Sequence, residues 1–260
     1  MTTQLKKWTG LGLGAAIIGT GLIACSETGH EDTSQSHANE AHQSHVVGEM
    51  GEGGEAGEGG EAGHSMDSLP REHRLAFMMG HVKTGLALYR AGEPEMAAPH
   101  LLHPVSETHA SERAGLDALG FEAPLFEVVS KALEEGRPAS EVEPQLVAAE
   151  KNLSMVAERA GGDTAGIIRF LMDTVVEEYS IAITDGKVSD PGEYQDAYGF
   201  SIVAKESADN LAEPTRSEVL AKIDELLSLW PAAPIPPASP TPIGRVVAQA
   251  SAVQLALPAE

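Results

Sequence analysis

The apolar residues between Leu69 and Trp230 recur at steps of three and four, and this spacing most constrains what the chain can fold into. Such a period places apolar side chains on one face of an α-helix. The stripe is strongest from Ile168 to Ile183. Alternating runs of β-branched residues between tight-turn signals do not occur in this sequence, so we expect no sheet.

Glycine, proline and capping residues divide this region into several helices. Gly92 and Gly136 each follow an apolar stripe, as helix stop signals do. Asp163 or Thr164 and the Asp190-Pro191 pair are typical of helix starts. We therefore predict an all-α protein, in which residues 69–230 form an antiparallel helical bundle of about six to eight helices.

The N-terminus carries an export signal. Lys6 and Lys7 precede an apolar run from Leu11 to Ala24. As a helix this run would span roughly 21 Å, which is less than the ~30 Å core of a bilayer. We predict that residues 1–24 are a signal peptide that is cleaved on export. Cys25 is the single cysteine, so a metal in this protein would be held by His and carboxylate groups.

The tetrapeptide Leu22-Ile23-Ala24-Cys25 resembles the lipobox of bacterial lipoproteins. The resemblance implies that Cys25 is lipidated, carries palmitate-like acyl chains and becomes the mature N-terminus. Two or more acyl chains anchor a protein stably to a membrane. By resemblance to Gram-negative lipoproteins, Ser26 favours the outer membrane over the inner one, on the periplasmic side. The alternative is an ordinary secretory signal that contains a cysteine by chance.

Two regions outside the helical domain have biased composition. Residues 25–68 are rich in Gly, Glu, Ser and His and repeat one hexapeptide at 51–56 and 57–62, so we predict a disordered tether. Its histidines either collect metal ions or are polar residues of a spacer. Residues 231–260 form a Pro-rich tail, and we expect its weakly apolar part, 243–258, to be disordered.

A group of histidines in the helical domain predicts a metal site. His100, His103 and Glu107 lie at helical offsets of three and four, and a turn at Gly92 can fold them back towards His81. Three imidazoles and a carboxylate suit iron, copper or zinc. The alternative is that these residues are polar core or capping groups. Gly80 and Gly85 would let another helix approach the His81 face closely.

A second group lies on both sides of Asp185-Gly186. Glu178 and Glu193 are expected to face each other across a hairpin, and each is followed by a tyrosine, Tyr179 and Tyr194. Carboxylate and phenol oxygens are hard ligands that suit ferric iron. These four residues form either a second metal site, a docking surface for a permease, or a solvated charged face above buried tyrosines.

The stretch that carries this group resembles a known helical domain. The residues that carry the resemblance are Glu178-Tyr179, Asp185-Gly186-Lys187-Val188 and Glu193-Tyr194-Gln195-Asp196-Ala197-Tyr198-Gly199-Phe200. They are similar to the periplasmic helical domain fused to some members of the high-affinity iron permease family. The resemblance implies a helical module near iron uptake. The membrane-embedded Arg-Glu-x-x-Glu motif of the permease does not occur in this sequence, so the chain is not the transporter itself.

Composition and motifs narrow the range of functions expected for this protein. A net charge of −22 repels nucleic acid and attracts cations. Motifs of hydrolases and nucleotide-binding enzymes do not occur in the sequence, so we expect no enzyme. We expect a lipid-anchored extracytoplasmic metal-binding accessory protein for iron or other transition-metal uptake, with a metal permease as partner. The alternative is an envelope adaptor that binds a protein and no metal.

Overall fold

Residues 68–102, 113 and 115–259 are described by a computed structural model. The signal peptide, Cys25, almost all of the tether, His103 and Glu107 lie outside the described residues. The described part is a helical bundle with one two-stranded hairpin. Its elements are α1 (Arg71–Ala91), α2 (Pro94–Leu102), a 3-10 helix (Asp117–Leu119), α3 (Ala123–Glu134), α4 (Ala139–Ala160), α5 (Thr164–Ala182), β1 (Ile183–Thr184), β2 (Lys187–Val188), α6 (Pro191–Ala208), α7 (Thr215–Leu227) and α8 (Ile243–Ala256).

Local sequence signals explain where several helices begin and end. Asp163 accepts hydrogen bonds from the backbone N–H groups of Ala165 and Gly166 and caps α5. Asp190 caps α6 in the same way. Gly92 ends α1 with a left-handed backbone, which a residue without a Cβ adopts easily. The predicted all-α fold is confirmed.

The hairpin between α5 and α6 differs from the prediction of no sheet. Ile183 pairs with Val188 and Thr184 with Lys187 in an antiparallel register. Asp185 and Gly186 form the two-residue loop, and both have positive φ angles. This backbone matches the twist of a short hairpin, so Asp185-Gly186 is its turn, while α5 already ends at Ala182.

The chain beyond Trp230 belongs to the folded unit. Helix α8 packs against α5 and α7, and its buried residues Val246, Ala250 and Val253 follow the helical period. Tyr179 Oη donates a 2.7 Å hydrogen bond to the carbonyl of Thr241, which ties the Pro-rich connection to α5. The disordered tail expected over 243–258 was therefore wrong, because a stripe of small apolar residues is enough to bury this helix.

The core lies where α5 and α6 meet α1. Among its fully buried residues are Tyr179 and Ile168 of α5, Phe200 of α6 and Met78 of α1. Each large apolar side chain of this kind contributes about 1.5–3 kcal/mol on burial. In the described part of the chain, none of the helices is both long enough and apolar enough to cross a bilayer. The packing of α1, α2, α5 and α6 positions the polar cluster described next.

Candidate metal centre

Three helices bring two imidazoles and a carboxylate together inside the bundle. His81 of α1 and His100 of α2 place their Nδ1 atoms 3.0 Å and 2.9 Å from Oδ1 of Asp196 in α6. Among the described residues, these three form the one group whose potential ligand atoms all lie within 4.8 Å of one another. All three are buried, with 3–5 % of their surface exposed. We call this group the His–His–Asp cluster.

Glycines allow the helices to approach closely enough to form the cluster. A Cβ atom added at Gly199 of α6 would overlap Thr84 Oγ1 and the carbonyl oxygen of Gly80 in α1. A Cβ at Gly85 would lie 2.6 Å from Leu101 Cγ and 3.0 Å from His100 Cβ. Larger residues at these positions would push α6 and α2 away from α1. The close helix approach expected at Gly80 and Gly85 is present.

Gln195 fixes the orientation of His100. Gln195 Nε2 donates to Met96 Sδ at 3.5 Å, and Gln195 Oε1 lies 3.1 Å from His100 Nε2. Because the amide nitrogen faces the sulfur, the amide oxygen accepts a hydrogen bond from the imidazole, and the Nε2 atom of His100 carries the proton. The Nδ1 atom of His100 faces Asp196, and it can offer a lone pair to a metal ion that displaces its proton. Metal-binding histidines are commonly held by such a bond on the other ring nitrogen.

The electrostatics of the cluster favour a cation between the rings and the carboxylate. Burial alone would lower the pKa of His100, but the negative charge of Asp196 raises it above its ordinary value. Burial alone would raise the pKa of Asp196, but His100 and His81 hold it well below its usual range. Asp196 is therefore an anion at neutral pH and favours positive charge beside the two Nδ1 atoms, either a proton on an imidazole or a metal ion that replaces the proton.

The distances within the cluster also fit a metal ion. Ligand atoms that lie 2.0–2.2 Å from an ion are about 3 Å apart. His100 Nδ1 and Asp196 Oδ1 lie 2.9 Å apart. This distance suits two ligands of one ion, and without an ion it suits the pairing of a protonated imidazole with the carboxylate. Two imidazoles and one carboxylate suit Fe(II) and Zn(II).

Two further carboxyl groups lie beside the cluster. Glu178 of α5 and Glu193 of α6 are buried, with 4 % and 7 % of their surface exposed, and hydrogen-bond to each other. Burial and the neighbouring Glu193 raise the pKa of Glu178 far above its ordinary value, and burial also raises the pKa of Glu193. The pair therefore shares a proton at neutral pH when no metal ion is bound. The structure brings these residues together across the α5–α6 hairpin.

The two tyrosines that were predicted beside the glutamates lie in an aromatic group of the core. Tyr179 and Tyr194 pack with Trp230 in an aromatic group, with ring centroids 5.7 Å apart and 5.2 Å and 6.2 Å from Trp230. Burial raises the pKa of Tyr179 to about 12 and also raises that of Tyr194. Both remain neutral phenols at neutral pH, and Tyr179 already donates to Thr241. They are core residues in this structure, and we do not include them among the ligands.

Two members of the cluster, His81 and His100, were predicted from the sequence, and Asp196 was not predicted as a ligand. The other expected ligands, His103 and Glu107, lie outside the described residues. Asp196 nevertheless carries a local signal in the sequence. It precedes Phe200 by four residues and Val203 by seven, so it lies on the buried stripe of α6, where a charged side chain needs a partner.

Comparison with known proteins finds a similarity in the C-terminal part of the domain. No curated protein and no solved structure matches the chain significantly. Residues 157–259 match the family model of the iron permease-associated 4-helix bundle domain. The matched range contains Glu178, Glu193 and Asp196, while His81 and His100 precede it. Helices α5 to α8 are thus similar to a four-helix bundle domain associated with iron permeases, and α1 to α4 add the imidazoles to it.

Proposed function

We propose that the protein is a lipid-anchored, extracytoplasmic accessory protein that binds iron or another transition metal for an uptake permease. The His–His–Asp cluster is the observation that carries this proposal. It lies against a helix of a domain that matches one associated with iron permeases, and its donors suit a divalent transition metal. The metal ion is the cargo, so the role is binding and transfer and not catalysis.

Several features support this role together. The net charge of −22 concentrates cations near the protein. The buried Asp196 anion and the two Nδ1 atoms then offer a site that excludes water. Because Gln195 binds Nε2 of His100, the ring is held with Nδ1 facing the position of the ion before the ion arrives. Preorganised ligands of this kind bind with little further ordering.

The membrane anchor rests on the sequence. The Leu22–Cys25 lipobox supports lipidation of Cys25, and Ser26 supports the periplasmic face of the outer membrane. Incorporation of labelled palmitate into the wild type, and its loss in Cys25→Ser, would establish the anchor. Equal labelling of the two proteins would refute it.

The metal site is tested by measuring how much metal the full-length chain retains after desalting. Wild type, His100→Ala and Asp196→Asn are loaded with Fe(II) without oxygen, desalted and analysed by elemental mass spectrometry. His73→Ala is the matched control, because His73 stacks on Phe170 away from the cluster. The tether histidines contribute equally to all four proteins, so the difference between them reports on the cluster alone.

The expected result is that the two cluster variants lose about one ion per chain relative to wild type and the His73 control. Far-UV circular dichroism establishes that the variants are folded. Equal retention in all folded proteins would refute the metal site and would favour the adaptor that binds a protein partner without metal. Repeating the loading with Zn(II) and Cu(II) identifies the preferred ion.

A further inference from the structure

The threonine hydroxyl one helical turn after His81 makes an unusual hydrogen bond. Five hydroxyls in the described helices follow the common pattern and donate to the carbonyl four residues earlier in their own helix: Ser130, Ser154, Thr174, Ser180 and Ser201. Thr84 of α1 instead donates across to α6, where the backbone carbonyl of Gln195 accepts the proton at 3.1 Å. Thr84 is fully buried, so this hydrogen bond joins two helices inside the core.

The glycine at position 199 provides the space for this hydroxyl. A Cβ atom at Gly199 would overlap Thr84 Oγ1 and the carbonyl oxygen of Gly80, so a larger residue would collide with α1. Gly80 lies four residues before Thr84, and its carbonyl is the acceptor that the common pattern would use. The hydroxyl therefore bonds to the neighbouring helix although its own helix offers an acceptor. Such a bond fixes one helix against the other.

The bond lies next to two members of the His–His–Asp cluster. Thr84 follows His81 by three residues, so both lie on the same face of α1. Gln195 directly precedes Asp196 in α6. If α1 moved along α6 by one residue, His81 would shift by about 1.5 Å relative to Asp196, whereas the two ligand atoms are only 3.0 Å apart. A hydrogen bond is lost beyond about 3.5 Å, so the Thr84 bond permits only a smaller shift.

We propose that Thr84 is a positioning residue of the metal site, whose hydrogen bond to α6 holds His81 at ligand distance from Asp196. This inference rests on the proposed function, because it concerns how the same site keeps its affinity. The side chain of Gln195 holds His100 at the same time. One residue of α6 thus binds α1 through its backbone and α2 through its side chain. Removing a group that orients a metal ligand typically lowers metal affinity 10–100-fold.

Thr84→Val removes the hydroxyl and keeps the branched shape of the side chain, whereas Thr84→Ser keeps the hydroxyl. Thr174→Val is the matched control, because Thr174 is also buried but donates within its own helix to Phe170. The full-length proteins, with isotope-labelled histidine and without metal, are compared by NMR spectra of the ring nitrogens. The His81 signal is assigned by its absence in His81→Ala. The dissociation constant for Zn(II) is then measured against a chelator that outcompetes the tether.

The expected result is a shifted His81 signal in metal-free Thr84→Val and a Zn(II) dissociation constant about tenfold higher than in wild type. Thr84→Ser restores both, and Thr174→Val changes neither. A Thr84→Val variant with the wild-type His81 signal or an unchanged dissociation constant overturns the positioning role, as does an equal loss in Thr174→Val. If wild type retains no metal in the loading experiment, the proposed function fails, and the metal-free spectra alone decide whether Thr84 positions His81.

Discussion

Replacing Glu178 by Gln should change how the stability of the metal-free protein depends on pH. The pKa of Glu178 is raised by burial and by the carboxylates of Glu193, Asp196 and Glu177. Above the ordinary Glu pKa, the folded state keeps a proton that the unfolded chain releases. Stability therefore falls as the pH rises, by about 1.4 kcal/mol per pH unit for one proton.

The variant has no proton to keep at this position. Between about pH 5.5 and pH 7.5, the free energy of unfolding of wild type should fall by up to about 3 kcal/mol relative to Glu178→Gln. Urea unfolding of chelator-treated protein, followed by Trp230 fluorescence and circular dichroism, measures the difference at each pH. Titrations of groups other than Glu193, which is coupled to Glu178, occur in both proteins and largely cancel in this comparison.

Glu177→Gln is the control for the loss of a carboxylate next to this position, because Glu177 is only half-buried. It should follow the wild-type profile. Parallel pH profiles for wild type and Glu178→Gln would show that Glu178 is ionised in the folded protein, and would refute the shared proton. A constant offset between two such parallel profiles would show in addition that the substitution disturbs packing.

Three further results are expected. Gly199→Ala should lower the free energy of unfolding by about 1–3 kcal/mol, because the added Cβ overlaps Thr84 and Gly80; Gly244→Ala, where nothing lies within 4 Å, should not lower it, and urea titration of both variants decides. Asp163→Ala should cost about 1 kcal/mol by removing the cap of α5, and an unchanged urea midpoint would contradict that role. Fe(II) at about 100 times its dissociation constant should stabilise wild type by about 2.7 kcal/mol. Asp196→Asn should show little of this gain in a thermal melt, and an equal gain would place the ion elsewhere.

The sequence predicted the helices well where burial follows a regular period. The stripe from Ile168 to Ile183 and the aspartates at 163 and 190 located α5 and α6, because helix starts and buried faces are encoded locally. Helix α8 was missed because its buried face consists of Val246, Ala250 and Val253, which are small, and because a Pro-rich segment precedes it. The helices that bury this face, α5 and α7, cannot be identified from the local sequence pattern of α8.

The His–His–Asp cluster was only half predictable for a related reason. His81 and His100 stood out because two imidazoles lie close together in the sequence, on neighbouring helices. Asp196 reaches them through the crossing of α1 with α6, which depends on Gly80 and Gly199. A single carboxylate in an acidic chain does not reveal such a long-range contact. A charged residue on an otherwise apolar stripe is the local sign that would have identified it.

In the proposed function, the division of the His–His–Asp cluster between α1–α2 and α6 has a consequence for the release of the metal ion. The imidazoles precede the region that matches the permease-associated domain, and the carboxylates lie within it. A small displacement of α1 and α2 would separate nitrogen from oxygen ligands and dismantle the His–His–Asp cluster without unfolding the four-helix bundle. A partner that binds where α1 and α2 meet the four-helix bundle could therefore release the ion by moving these two helices. Such a partner would not need to bind the ion more tightly than all of its ligands together.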